Sequence, residues 1–404
     1  MVESPLSTVR TLFDPVSEHS PWADDDWQKA KARTQTLFEP RSPIDQDRLF
    51  SGRILQVQDL LDVVYEKGAH AIVYGERGVG KSSLANVIKD KAPTVISNLH
   101  FIKDNCRPED SFFDLWAKVL FDFEYEGAMI SDLLKTETRH FIVQKILETL
   151  SKTKQYIFIF DEFDRIADPA TKAAMADTIK HFSDYPQNIT IIIVGVGFSI
   201  TELFGAHPSI ARCCKQIPMP RMSHQEIAQV IDERTPQIGI TVSEANVKKI
   251  VELAQGFPGF GHLLGREAIL SAIDRMNRNV DDRDITIAVK HGVDKAQESM
   301  RRDYQTATYS AKENIYAHVL LACAQARKNE MGLFSASDVK ETLSTILKRR
   351  VEISHFARHL AAFCDASRGP ILRKTGSQKR FLYQFIEAPI QPFIVMIGRR
   401  DGLI

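Results

Sequence analysis

Between positions 54 and 65, apolar residues recur at Leu55, Val57, Leu60, Leu61 and Val64. That is the spacing of one helix face, and the mostly apolar run Ala69–Tyr74 that follows and stops at Gly75 reads as a buried strand. Three more apolar runs, Thr94–Ile102, Tyr156–Phe160 and Ile189–Val196, read as buried parallel strands. The segments between them, Phe112–Phe121, Thr136–Leu150 and Asp168–Ser183, carry helical periodicity, with Asp168 and Pro169 placed as cap and first helical position. Strands alternating with helices predict a doubly wound α/β domain with a parallel sheet. From Ser223 to Ala296 the pattern is helical throughout, which predicts a small helical domain without strands.

The pattern changes again near the C-terminus. Ala311–Lys328, Ser337–Leu347 and Ser354–Cys364 read as helices, the last with Ser354 as N-cap. Pro370–Lys374 and Lys379–Ile386 read as strands around a Thr375-Gly376-Ser377 turn. Three helices followed by a β-hairpin is the order of a winged helix. At the other end, five prolines and the acidic run Asp24–Asp26 predict an extended arm with one helix over 25–38, draped on the domain that follows, with a disordered tail as the alternative. The expected domains are an arm over 1–48, an α/β core over 49–220, a helical domain over 221–305 and a winged helix over 306–404.

Composition narrows the function classes. With 52 Lys plus Arg against 52 Asp plus Glu in 404 residues, there is no global field toward nucleic acid or anionic lipid, so any such affinity is local. The longest apolar runs are far short of the ~20 residues a bilayer requires, and no secretory signal opens the chain. A cytoplasmic protein without membrane contact is expected. Five cysteines, Cys106, Cys213, Cys214, Cys323 and Cys364, lack CxxC spacing and read as reduced thiols.

The strongest chemical signal is Gly75-Glu76-Arg77-Gly78-Val79-Gly80-Lys81-Ser82-Ser83, a full match to GxxxxGK(S/T) between a predicted strand and a predicted helix. Glycines let backbone N–H groups converge on phosphate oxygens, and the helix that follows turns its positive end toward them. Lys81 would neutralise β/γ charge and Ser82 would ligate Mg2+. The second signal is the apolar strand ending in Asp161 and Glu162. At the carboxyl end of a parallel strand beside the phosphate loop, Asp161 would hold the metal and Glu162 would orient or deprotonate the attacking water. Asp161 as a cap for a helix over 162–166 is the competing reading, and Asp164 reads as solvated or structural.

GERGVGKSSL, IFIFDEFDRI, a helical lid and a C-terminal winged helix together resemble the AAA+ ATPases, within them the initiator type that includes origin-recognition and archaeal replication-initiator proteins, and their bacterial relatives. Leu49-Phe50-Ser51-Gly52-Arg53 is similar to the box in which the backbone of that group helps hold adenine. The resemblance implies ATP and Mg2+ as cofactors, ATP hydrolysis, and a homo-oligomer in which Arg212, in Ser209-Ile210-Ala211-Arg212, is an arginine finger supplied in trans. It implies a polar sensor after the strand Ile191–Val196, for which Ser199 and Thr201 are the nearest residues. In the lid, Gly256-Phe257-Pro258 resembles the GxP element of related signalling ATPases, whose proline packs near adenine, and Arg266 is the nearest lid arginine.

Between Lys348 and Arg380 nine basic residues face two acids, Glu352 and Asp365. Helical spacing puts His355, Arg358, His359 and Ala362 on one face of the third helix and leaves Phe356, Leu360 and Phe363 for the core. This face and the hairpin tip would meet double-stranded DNA. The resulting expectation is an ATPase that oligomerises with nucleotide, engages DNA and acts as a switch or loader for an effector protein in defence, transposition or replication. The alternative is a weakly hydrolysing, nucleotide-gated scaffold whose winged helix contacts protein.

Overall fold

The computed structural model describes residues 22–40, 52–94, 98–136, 139–197, 200–205, 210–310, 315–329, 332–377 and 380–404. They fall into two compact units: residues 43–220, and residues 1–42 together with 221–404. The helix of the N-terminal arm, α1 (Asp24–Leu37), belongs to the second unit, not to the domain that follows it in sequence.

The 43–220 unit is built from α2 (Ile54–Tyr65), β1 (His70–Gly75), α3 (Lys81–Lys91), β2 (Leu99–Asn105), α4 (Phe112–Val119), the hairpin β3 (Glu124–Tyr125) and β4 (Ala128–Met129), α5 (Ile130–Thr136) and α6 (Phe141–Leu150). It continues through β5 (Gln155–Asp161), α7 (Pro169–Asp184), β6 (Ile189–Val196), the short helices α8 (Ile200–Phe204) and α9 (Ile210–Cys213), and β7 (Cys214–Pro218). The sheet order is β2-β5-β6-β1-β7, all parallel, with Ala71 opposite Ile192 and His70 opposite Cys214. The three inner strands are apolar because helices cover both faces. Trp116 of α4 lies edge-on to Phe158 and Phe160, 5.3 and 5.1 Å between ring centres.

Strand β7 has no apolar run in the sequence. Its Lys215 and Gln216 are exposed at the sheet edge, and Lys215 is held by Asp59 and Asp62 of α2. Asp168 caps α7 as expected, its carboxylate accepting the N–H groups of Ala170 and Thr171.

The other unit adds α10 (His224–Asp232), α11 (Thr235–Ile238), β8 (Thr241–Val242), α12 (Glu244–Ala254), α13 (Pro258–Asp274), β9 (Asn279–Val280) and α14 (Asp282–Asp294). Strands β8 and β9 pair in parallel, so the helical segment is not strand-free. Two-residue strands are too short for alternation to register in the sequence. Helix α1 packs on this bundle. Arg234, almost wholly buried, donates to the Leu37 and Val230 carbonyls, and its guanidinium lies 5.9 Å from the Phe38 ring. Gly265 permits the approach, since a Cβ there would meet Phe38 at 2.9 Å and Ile231 at 2.6 Å.

Then follow α15 (Glu298–Thr308), α16 (Tyr316–Gln325), β10 (Phe334–Ser335), α17 (Ala336–Ile346), α18 (Ile353–Phe363), β11 (Leu372–Ser377), β12 (Arg380–Phe385) and α19 (Ile390–Arg400). The strands form an antiparallel sheet, β10-β12-β11. The N-cap of α18 is Glu352, two residues before the expected Ser354, and its carboxylate also binds Lys340 and Arg350. Helix α19, whose residues 390–398 are buried, packs on α14 and α16; an apolar stretch buried on all sides has no helical stripe to read.

Each unit buries a histidine as the neutral ring. Burial lowers His70 to about 4 and His262 to about 3, the latter helped by Arg234 and Arg266. Below pH 6.5 the unfolded chain takes up protons that the folded one refuses, so stability falls with pH. Urea unfolding is expected to show a loss of about 2 kcal/mol per histidine at pH 5 relative to pH 7.5. His262→Leu should remove one share and cost little at pH 7.5, since neither ring nitrogen has a hydrogen-bond partner. A large loss at neutral pH would show that the ring has a polar role.

Candidate nucleotide site

Strand β1 delivers the chain into the phosphate loop. At Gly75 a Cβ would lie 2.3 Å from the Met219 carbonyl oxygen, so glycine is required by close approach. Gly78 and Gly80 have φ of 82° and 99°, and Gly80 caps α3 from the left-handed region. Lys81 opens the helix, and its Nζ donates to the carbonyls of Gly75 (3.0 Å) and Glu76 (2.7 Å). Burial lowers its pKa to about 8 against the opposing charges of Asp164, Asp161 and Glu76. Ser82 and Ser83 are half-buried in the first turn; Val79 and Glu76 are buried and Arg77 is exposed.

Arg53, the described end of the Leu49–Arg53 box, is buried, and its guanidinium donates to the carbonyls of Val79 and Pro220. It thereby ties the start of α2 to the phosphate loop. Leu49, Phe50 and Ser51 lie outside the described residues.

Asp161 ends β5 and is 4% exposed. Its Oδ1 accepts the N–H of Glu162 at 2.9 Å and its Oδ2 meets Lys103 Nζ at 3.0 Å. No α-helix starts here; a single 3₁₀ turn spans Phe163–Arg165. Glu162 has φ of 57°, an uncommon conformation for a residue with a side chain. Its carboxylate pairs with Arg165 at 2.8 Å. Asp164 is structural: Oδ1 accepts the Val196 N–H at 2.7 Å and joins this turn to the end of β6.

Other expected residues are more scattered. Thr201 is exposed on α8, Ser199 and Ser209 lie outside the described residues, and Arg212 is exposed on α9. In the second unit, Gly256 (φ 78°) and Phe257 form the turn into α13, with Pro258 as first residue. The Gly256 carbonyl accepts the Met222 N–H, and the Arg221 guanidinium sits 4.6 Å from the Phe257 ring. Arg266 is bound to Glu267, a buried carboxylate that also holds His291 and Lys295.

The basic segment is more differentiated than its count suggests. Arg368 donates to the carbonyls of Ala307 and Tyr309 and stacks on Tyr316, so it serves the fold. Arg350 pairs with Glu352, and Arg373 with Gln384. His359 is buried against Tyr316, not on the outer face, because α18 is embedded more deeply than a single apolar stripe implies. Lys348, Arg349, His355, Arg358 and Lys374 are exposed; Lys379 lies outside the described residues.

Two polar residues at the site carried no motif signal. Lys103 is a cation inside a half-apolar strand, and Arg165 follows the acidic pair at one-turn spacing; only the folded arrangement brings either to the acids.

The parallel order β2-β5-β6-β1-β7 with a phosphate loop after β1 and acids after β5 defines a P-loop AAA+ fold. Residues 65–204 match the AAA domain family. Among solved structures, the ORC2 protein of Aeropyrum pernix, determined as ADPNP–ADP complexes, is similar at 12% identity with a TM-score of 0.52, over 91% of this chain and 97% of that one. A Walker-type ATPase of Pyrococcus abyssi is similar at 14% identity and TM-score 0.52, over 89% and 99%. No curated protein sequence matches the chain significantly. Among the described residues, no helix is long and apolar enough to cross a membrane.

Proposed function

We propose that this protein binds and hydrolyses ATP with Mg2+, oligomerises in a nucleotide-dependent way, and engages double-stranded DNA through a C-terminal winged helix to switch or load an effector protein. The observation that carries the reading is the phosphate loop itself: positive φ at Gly78 and Gly80 and a buried, pre-positioned Lys81 at the start of α3. Backbone N–H groups at a helix start, with a lysine beside them, form a polyphosphate site. Ser82 and Asp161 supply hard oxygen donors of the kind Mg2+ takes together with phosphate oxygens. When bound, the ion would draw charge from the β–γ bridge. Lys81 neutralises the γ-phosphate side, Glu162 receives the water proton once it leaves Arg165, and Arg212 of a neighbouring copy meets the charge that develops.

The order α16, β10, α17, α18, β11, β12 supports a winged helix. Exposed Arg349 and Arg358, on and beside α18, would contact phosphate. Mass photometry with ATP, with and without duplex DNA, is expected to show larger assemblies with both ligands. Arg349→Glu with Arg358→Glu should weaken DNA binding and flatten its salt dependence by about 0.9 per lost phosphate contact, with ATP affinity unchanged. Undiminished DNA affinity would remove α18 from the interface.

The Glu162–Arg165 pair and the engagement of Arg266 with Glu267 favour a second reading. In it, hydrolysis is slow, nucleotide gates a scaffold, and the winged helix contacts protein. DNA-stimulated turnover would exclude it.

A further inference from the structure

Lys103 stands opposite Ile159 in the β2–β5 pairing, which makes Asp161 its diagonal neighbour on the same face of the sheet. Diagonal neighbours lie within reach of a long side chain. The Lys103 Nζ is 3.0 Å from Asp161 Oδ2 and 2.8 Å from Asn86 Oδ1 on α3, the helix that carries Lys81 and Ser82. A single ammonium thus bridges the edge strand, the acid at the end of β5 and the phosphate-loop helix. Of the two oxygens of Asp161, one is held by a backbone N–H and the other by this ammonium.

We propose that Lys103 is a positioning residue that competes with Mg2+ for Asp161 and so sets the metal concentration at which nucleotide is held. The proposal rests on the reading of Ser82 and Asp161 as the metal side of the ATP site. Two cations on one buried carboxylate repel each other, and a charge at this range shifts an ionic equilibrium by about tenfold or more. Asn86 gives the ammonium a second acceptor, so Lys103 can release Asp161 while keeping a hydrogen bond. Without metal, the same ammonium offsets the Asp161 charge that would otherwise repel a polyphosphate. Lys103 therefore favours metal-free nucleotide and opposes metal.

The test is ADP affinity of the full chain by calorimetry, in EDTA and across a Mg2+ titration. Lys103→Met is expected to lower the Mg2+ concentration for half-maximal ADP binding by about tenfold and to weaken ADP binding in EDTA. Lys103→Arg keeps the charge and should stay close to the parent in both. A lysine that only stabilised the fold would lower the melting temperature equally in EDTA and Mg2+ and leave the metal titration unmoved. A folded Lys103→Met protein whose Mg2+ requirement is unchanged or higher overturns the proposal, and Lys103→Gln carries the same test if the methionine variant does not fold. If the parent binds no ADP under either condition, the nucleotide reading fails, and the competition with it.

Discussion

Lys81→Ala is expected to weaken ATP binding by about a hundredfold, corresponding to about 3 kcal/mol for a charge-assisted hydrogen bond at a buried site. The ammonium is already in place, bonded to the Gly75 and Glu76 carbonyls, so little ordering is needed when phosphate arrives. Its burial costs solvation that phosphate oxygens would restore, which is the physical content of the lowered pKa. Because the same bonds tether the phosphate loop, the variant should also be compared with the parent by thermal melting. A folded variant with parental ATP affinity would refute the site.

Arg212→Ala is expected to reduce ATP turnover by about 10³-fold or more, the range in which a guanidinium stabilises charge developing on the γ-phosphate. ATP affinity should be unchanged. Arg212 is exposed on the four-residue helix α9 just before β7. If the finger acts in trans, mixing Arg212→Ala with Lys81→Ala restores part of the activity, since some interfaces then combine an intact site with an intact arginine. Parental turnover in Arg212→Ala, or no recovery on mixing, would favour the slow, gated scaffold.

The legible parts of this protein were those whose chemistry is local. GERGVGKSSL encodes its own loop, because glycines at 78 and 80 supply left-handed backbone and Lys81 opens the helix that follows. The apolar strands over 156–160 and 189–196 announce themselves because a parallel strand covered on both faces has no polar side to show. The amphipathic helix over 54–65 appears with the predicted bounds for the converse reason: one face stays wet.

What the sequence could not show depends on partners distant in the chain. Strand β7 is a strand because β1 offers it an edge and α2 offers Asp59 and Asp62 to its lysine. Helix α1 joins the helices over 224–294 because Arg234 needs the Leu37 carbonyl and Gly265 leaves room for Phe38. His359 shares its helix period with exposed neighbours, and only the packing of Tyr316 decides that it is buried. The same holds at the site. Sequence alone determined that Asp161 and Glu162 follow a buried strand near a phosphate loop, because motif and strand pattern are properties of contiguous residues. That Lys103 grips one acid and Arg165 the other was decided by strand register and a left-handed turn at Glu162, because a side chain's partner is set by where the backbone carries it.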